Sequence, residues 1–180
     1  MKPSIFKTTL ILFFCISVNS LIAQNNKEKG EIAKSEETKQ YFISQDSEIG
    51  SFFAKSYGYV VFPAIGKGAI GVGGAHGNGV MFKGGEPYGK ASMTQASIGF
   101  QLGGQSFMEI IFFKDERAWD NFIEGKLKLA AQASGVVLEQ GAAASAAYND
   151  GVAIFTAIKG GLMAEAAVGG QKFKYKDWDN

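Results

Sequence analysis

The pattern of apolar and polar positions changes character twice along the chain. Residues 10–18, LILFFCISV, form an apolar run without a charge. From Asn25 to about Ser56 the chain is charged and poor in glycine, with an apolar patch at Tyr41-Phe42-Ile43 and with Ile49, Phe52 and Phe53 at helical spacing. Ser35 with Thr38 and Glu36/Glu37 reads as the start of a turn, and Asp46 or Ser47 as the cap of a second short helix. A helix docked on the domain by its aromatic face is the expectation for this stretch, and an amphipathic segment touching membrane is the alternative.

From Tyr57 onward the pattern is that of strands. Tyr59-Val60-Val61-Phe62 is apolar, and Gly84-Gly85-Glu86-Pro87 is a turn by composition. Gln95 to Gly103 alternates, with Ala96, Ile98, Phe100 and Leu102 on one side. Phe107 to Phe113, FMEIIFF, predicts a strand buried on both faces, interrupted only by Glu109. The period then switches. Asp115 caps a helix whose stripe is Ala118, Trp119, Phe122 and Ile123, and Gly125 ends it. Leu127 to Leu138 fits strand or helix, and Gln140 to Tyr148 has no clear pattern. Gly151 to Thr156 and Leu162 to Val168 read as two strands joined through Lys159-Gly160-Gly161. Gln171 to Lys176 alternates lysine with aromatic residues.

The sum is about six to eight short strands with turn signals, plus helices at the N-terminus and near 115–124. This predicts an α+β domain with a mainly antiparallel, strongly bent and barrel-like sheet. The glycine pairs Gly73-Gly74, Gly103-Gly104 and Gly169-Gly170 stand where strands would bend.

Charge and cysteine content add a compartment. Lys2 and Lys7 precede the apolar run, and Ser20-Leu21-Ile22-Ala23 follows it, which is the layout of a secretory signal peptide cleaved near Ala23. The run is shorter than the roughly 20 apolar residues a transmembrane helix needs. The expected organisation is a signal peptide at 1–23 and one domain at 24–180, helical over about 30–56 and β-rich over about 57–176. Cleavage removes Cys15, the sole cysteine, and leaves 18 − 2 = 16 basic against 17 acidic residues. That balance argues against a nucleic-acid partner, which needs a concentrated basic surface.

Candidate chemistry centres on Gly66 to Phe82, GKGAIGVGGAHGNGVMF, with seven glycines in seventeen residues. Gly66-Lys67-Gly68-Ala69-Ile70-Gly71 fits G-x-G-x-x-G, but a dinucleotide site needs a helix to open there. Gly73, Gly74, Gly77 and Gly79 follow instead, each costing a helix about 1 kcal/mol relative to alanine. Paired strands with close backbones are expected, and no nucleotide. His76, the one histidine, reads as an exposed hairpin-turn residue in Ala75-His76-Gly77-Asn78-Gly79. One histidine without cysteine builds no zinc site of the usual type, and no G-x-S-x-G elbow is present. Glu109 is either a residue of a ligand cavity or a carboxylate paired with a lysine or placed at a bend. Lys172, Lys174 and Lys176 share one face of a terminal strand, suited to anionic headgroups or to guarding an edge.

Several segments together resemble the SYLF domain family. They are Ala54-Lys55-Ser56-Tyr57-Gly58-Tyr59-Val60-Val61-Phe62-Pro63, Gly66 to Gly74, Gly77-Asn78-Gly79-Val80, Met108 to Phe113, Ala130 to Ser134, and Gly151 to Thr156 with Lys159-Gly160-Gly161-Leu162. The resemblance covers about Ala33 to Tyr175. It implies a lipid-binding domain, linked to phosphoinositides and actin in eukaryotic members and typically exported in bacterial ones, with no enzymatic activity and no cofactor. By the family pattern, Lys55 and Lys67 occupy basic positions beside the Gly-rich strands. The expectation is therefore an exported, membrane-associated module, secreted or periplasmic, that binds anionic phospholipid of the phosphatidylinositol type through Lys55, Lys67, Lys172 and Lys174. No catalytic residues and no metal ligands are expected, and actin is not expected to meet an exported protein. The alternative is a structural, self-associating module of the cell envelope.

Overall fold

The computed structural model describes the backbone of residues 5–70, 72–97, 105–127, 129, 134–137, 139–158, 166–167 and 170–178. Side chains are described from Asn25 on, apart from residues 67–73, 96–105, 134 and 166–167.

The chain opens with one continuous helix, α1 (Ile5–Gln45). The turn expected at Ser35 to Thr38 is absent, for a local reason. Ser35 Oγ donates to Glu31 O at 3.0 Å and Thr38 Oγ1 to Lys34 O at 2.9 Å, so both hydroxyls are satisfied within the helix and can be buried in its interior. The break falls at Asp46. Its carboxylate accepts from Glu48 N at 3.1 Å and caps a 3-10 turn at Ser47–Ile49, which leads into α2 (Gly50–Lys55).

Among the described residues eight strands follow, with two more helices among them. They are β1 (Gly58–Ile70), β2 (Val72–Lys83), β3 (Glu86–Ser97), β4 (Gln105–Phe113), β5 (Ser134–Val137), β6 (Val152–Ala157), β7 (Ala166–Ala167) and β8 (Gln171–Lys176). The helices are α3 (Glu116–Ile123) and α4 (Ala142–Ser145). The strands form one sheet in the order β7-β5-β6-β4-β1-β2-β3-β8, antiparallel except for β5 beside β6. The mixed α+β class is as expected. Among the described residues no ladder joins β7 to β8, so the described sheet has two edges, and the barrel-like closure is not part of it.

The Gly-rich stretch makes a long ladder. Gly58–Ile70 pairs with Val72–Lys83 on both sides of one register shift, so the described part of the G-x-G-x-x-G run lies in a strand and opens no helix. His76 is exposed but in the middle of β2, opposite Gly66 and Thr94, not in a turn. The glycines around it serve packing against a bulge in β1 between Val61 and Ala64, where Pro63 interrupts the register. A Cβ on Gly79 would stand 2.5 Å from Val61 O, and one on Gly77 would stand 2.7 Å from Ile65 Cγ1. The reversal between β2 and β3 is Gly84-Gly85, both at positive φ, as expected.

The middle of the sheet is buried on both faces. On one face Val60, Phe62, Ile65, Met81, Met93, Phe107, Ile111 and Phe113 pack with Trp119 and Phe122 of α3. Asp115 caps α3 by accepting from Ala118 N at 3.0 Å, and Gly125, at φ +67, follows its end. On the other face Tyr59, Val61, Val80, Phe82, Ile110, Phe112 and Phe155 pack with Phe42 of α1, Phe52 of α2 and Ala143 of α4. Within Leu127 to Leu138 the described residues include the strand β5 at 134–137, while 128, 130–133 and 138 lie outside the described residues, and α4 lies within the stretch from Gln140 to Tyr148. The glycine pairs at 103–104 and 169, the end of the Gln95–Gly103 alternation and most of Leu162–Val168 lie outside the described residues.

The sheet curls toward the α3 face. Phe62 of β1 and Phe173 of β8 are three ladder steps apart, which in a flat sheet is about 14 Å. Their ring centroids are 6.2 Å apart, and Phe122 fills the space beside them at 5.0 Å from Phe173. The α3 face is therefore the inside of the curl, and the α1 face is the outside.

Candidate functional site: a lysine-lined groove between helix α1 and the sheet

The outer face is only partly covered by helix. Phe42 and Thr38 seat the C-terminal half of α1. Lys39 Nζ donates to Tyr59 Oη at 3.2 Å and lies 5.4 Å from the centre of the Phe53 ring. Burial acts to lower the Lys39 pKa, but the bond to Tyr59 and the neighbouring Glu36 outweigh it, and the net direction is upward. Towards residue 27 the helix stands away from the polar part of the sheet. There it leaves a groove of about 740 Å³.

The strand register explains what lines this groove. Ala64, Asn78, Ser92 and Lys174 form one rung across β1, β2, β3 and β8, and Val80, Lys90 and Lys176 form part of the next. The bulge at Pro63-Ala64 and the bare backbone of Gly79 keep the floor low. The helix wall is Lys27, Glu31, Lys34 and Ser35. These recur on one face at i, i+4, i+7 and i+8. The groove thus has five lysines (27, 34, 90, 174 and 176) against Glu31, over a floor of small and apolar groups.

Two of the side chains are held. Lys90 Nζ lies 3.0 Å from Glu28 Oε1 and 4.9 Å from the centre of the Trp178 ring. Tyr175, between the two groove lysines of β8, turns its ring to the α3 face beside Tyr88, and its hydroxyl is pushed up to about 12 by burial and by Asp177 and Tyr88, so it stays neutral at physiological pH. Lys27, Lys34, Lys174 and Lys176 are exposed. Such an arrangement favours an anionic group at the lysines with apolar substance against the floor, since lysine stems cover apolar surface while their ammonium groups stay in water.

The expected site residues are not gathered in one place. Lys174 lines the groove, and Lys172 lies one rung further along the same face, opposite Thr94. Lys55 borders a separate, shallower hollow of about 410 Å³ with Glu48, Ser51 and Tyr148. Lys67 pairs with Ala75 and Gln105 in the ladder, and its side chain lies outside the described residues. Lys27, Lys34 and Lys90 were not singled out by the sequence reading. The stripe 27-31-34-35 was the available signal for the first two, and it continues through Thr38 and Phe42, which are buried on the sheet.

Glu109 is fully buried on the inner face, opposite Phe62 at the register shift of β1. It sits at a bend, as one expectation had it, and Gln171 Nε2 donates to Glu109 Oε2 at 3.0 Å. It does not line the groove. Among the described residues no cluster of three potential metal ligands occurs, and no helix is long and apolar enough to cross a membrane.

Comparison with known proteins places this architecture. A family model, Ysc84, described as Las17-binding protein actin regulator, matches residues 94–180, which run from the end of β3 through β8. Beta cell expansion factor A of Aeromonas veronii is 29% identical over 124 residues, covering 67% of this chain and 46% of the relative. The chain thus spans about half the length of that curated relative. From the end of β3 through β8 the chain thus matches the Ysc84 (SYLF) family model, and the Gly-rich β1–β2 ladder that resembles the same family lies ahead of the matched part.

Proposed function

We propose that this protein binds anionic phospholipid without catalysis, and that the groove between α1 and strands β1, β2, β3 and β8 takes the headgroup. The observation that carries this reading is the convergence of five lysines from three elements far apart in sequence, α1, β3 and β8, over a floor of Pro63, Ala64, Gly79 and Val80. Each basic residue near an anionic membrane surface contributes about 1 kcal/mol to binding. Lys174 and Lys172 are the two residues expected from the sequence that share this face. Lys55 lies outside the groove, at the second hollow. The basic start and apolar run of residues 1–23 support export, with periplasmic or secreted localisation after cleavage near Ala23. An exported chain would not meet actin, so the actin link in the family description is not carried over.

Co-sedimentation with phosphatidylcholine vesicles, with and without phosphatidylglycerol, tests the proposal. Binding that depends on phosphatidylglycerol and weakens with salt is expected. Absence of binding to both vesicles, together with an oligomer in light scattering, would favour the self-associating envelope module.

A further inference from the structure

One lysine of the groove is already matched from within the chain. The Glu28 carboxylate lies 3.0 Å from Lys90 Nζ, with side-chain exposures of 21% and 25%, so the pair is less screened than a surface pair. Among residues 25–30 of α1, Glu28 is the one that is partly buried, and the others are exposed. Two residues on stands Gly30. A Cβ there would meet nothing within 4 Å, so packing does not require glycine. In a helix interior glycine costs about 1 kcal/mol relative to alanine. The buried anchors of α1, Ser35, Thr38 and Phe42, all lie beyond it. The helix is thus weakest between its anchored part and the segment that carries Glu28.

We infer that Glu28 sets the selectivity of the groove: its carboxylate holds, on Lys90, the place taken by the anionic group of the bound lipid, and Gly30 lets the segment 25–30 swing aside as the two exchange. This rests on the lipid-binding reading above. The exchange replaces one ion pair on Lys90 by another and releases Glu28 to water. A zwitterionic headgroup, which carries its own cation, has little to gain from that exchange. A headgroup with net negative charge keeps the full attraction of Lys90, Lys174 and Lys176. Glu28 therefore works as an internal competitor that only an anionic lipid displaces.

The test uses the full chain, Glu28→Gln, Gly30→Ala, and Glu139→Gln as a control with the same charge change at an exposed position that does not line the groove. Binding is measured on phosphatidylcholine vesicles with and without phosphatidylglycerol. Amide hydrogen exchange of residues 25–34 is followed in the absence of lipid. Glu28→Gln is expected to raise affinity for the phosphatidylglycerol vesicles about threefold or more, with faster exchange over 25–34. Glu139→Gln is expected to leave affinity unchanged, and Gly30→Ala to lower it and slow exchange. If wild type binds and Glu28→Gln binds no tighter, or Glu139→Gln gains as much, the inference is overturned while the lipid-binding reading stands. If wild type fails to bind and Glu28→Gln binds, the anionic lipid does not displace Glu28 and the inference is overturned, while the groove keeps its lipid-binding reading. If neither binds, both fall.

Discussion

Gln171 Nε2 donates to Glu109 Oε2 at 3.0 Å, although their strands, β8 and β4, stand four ladder steps apart in the sheet. In a flat sheet those strands would be separated by about 19 Å. The bond closes only because the sheet curls, and both residues are buried inside that curl at 3% and 0% exposure. A buried carboxylate must be matched by hydrogen bonds. This bond therefore ties the C-terminal edge strand to the middle of the sheet, and with it Lys174 and Lys176 to the groove. Gln171→Leu is expected to lower stability by about 2 kcal/mol in urea unfolding. An unchanged midpoint would show that the curl is held by the aromatic packing of Phe62, Phe122 and Phe173 alone.

Gly79 sits under the β1 bulge. A methyl group there would meet Val61 O at 2.5 Å and Phe62 Cδ1 at 2.8 Å, both on a strand buried on two faces. Gly79→Ala is expected to cost about 1–3 kcal/mol, the range for overpacking. Gly66→Ala, where a Cβ meets nothing within 4 Å, is expected to be near neutral. Thermal unfolding of the two variants side by side checks this, and equal midpoints would contradict it.

Asp46 joins two ends of the chain. Besides capping the turn through Glu48 N, its Oδ2 accepts from Ala143 N at 2.8 Å, a buried bond across 97 residues. Asp46→Ala removes both and leaves the Ala143 N–H buried without its acceptor. A loss of about 2–3 kcal/mol is expected, more than a simple cap deletion. Asp46→Asn, which keeps one acceptor oxygen, is expected to lose less. Urea unfolding distinguishes the two, and equal losses would mean that the link to Ala143 contributes nothing.

Tyr175 supplies a pH dependence. Its phenol is neutral when protonated, and burial, Asp177 and Tyr88 raise its pKa from 10.0 to about 12 in the folded protein. The folded state therefore holds the proton more tightly than the unfolded chain. The associated stability is complete below pH 10 and is lost as pH rises from 10 toward about 12. A spectrophotometric titration of tyrosinate should show a late component that Tyr175→Phe reduces. Burial also raises Tyr59 and Tyr148, so the amplitude decides: if the late component is as large in Tyr175→Phe as in wild type, the assignment is wrong.

The legible parts of the sequence were those set by local chemistry. Asp115 and Gly125 bound α3, Gly84-Gly85 turns the hairpin, and FMEIIFF is buried on both faces, because a cap, a positive φ or a period needs only neighbours in sequence. What escaped was set by partners far away. The glycines near His76 suggested a turn, but Pro63 and the β1 bulge require them within a strand. Ser35 and Thr38 suggested a break, but their hydroxyls fold back on the helix. The lysine face of β8 was visible as alternation. Its meeting with Lys90 and with Lys27 and Lys34 of α1 depends on strand order and helix docking, which no spacing encodes.

The central claim is that the groove lysines hold anionic lipid. The most direct measurement is vesicle co-sedimentation of the double variant Lys174→Glu/Lys176→Glu beside wild type, with phosphatidylglycerol-containing vesicles and with circular dichroism as the check on folding. Both residues are exposed on β8, so the fold is expected to persist. Affinity is expected to fall about thirtyfold or more, following a contribution of about 1 kcal/mol for each lysine lost and the added repulsion of two carboxylates. A folded double variant that binds these vesicles as tightly as wild type would contradict the account.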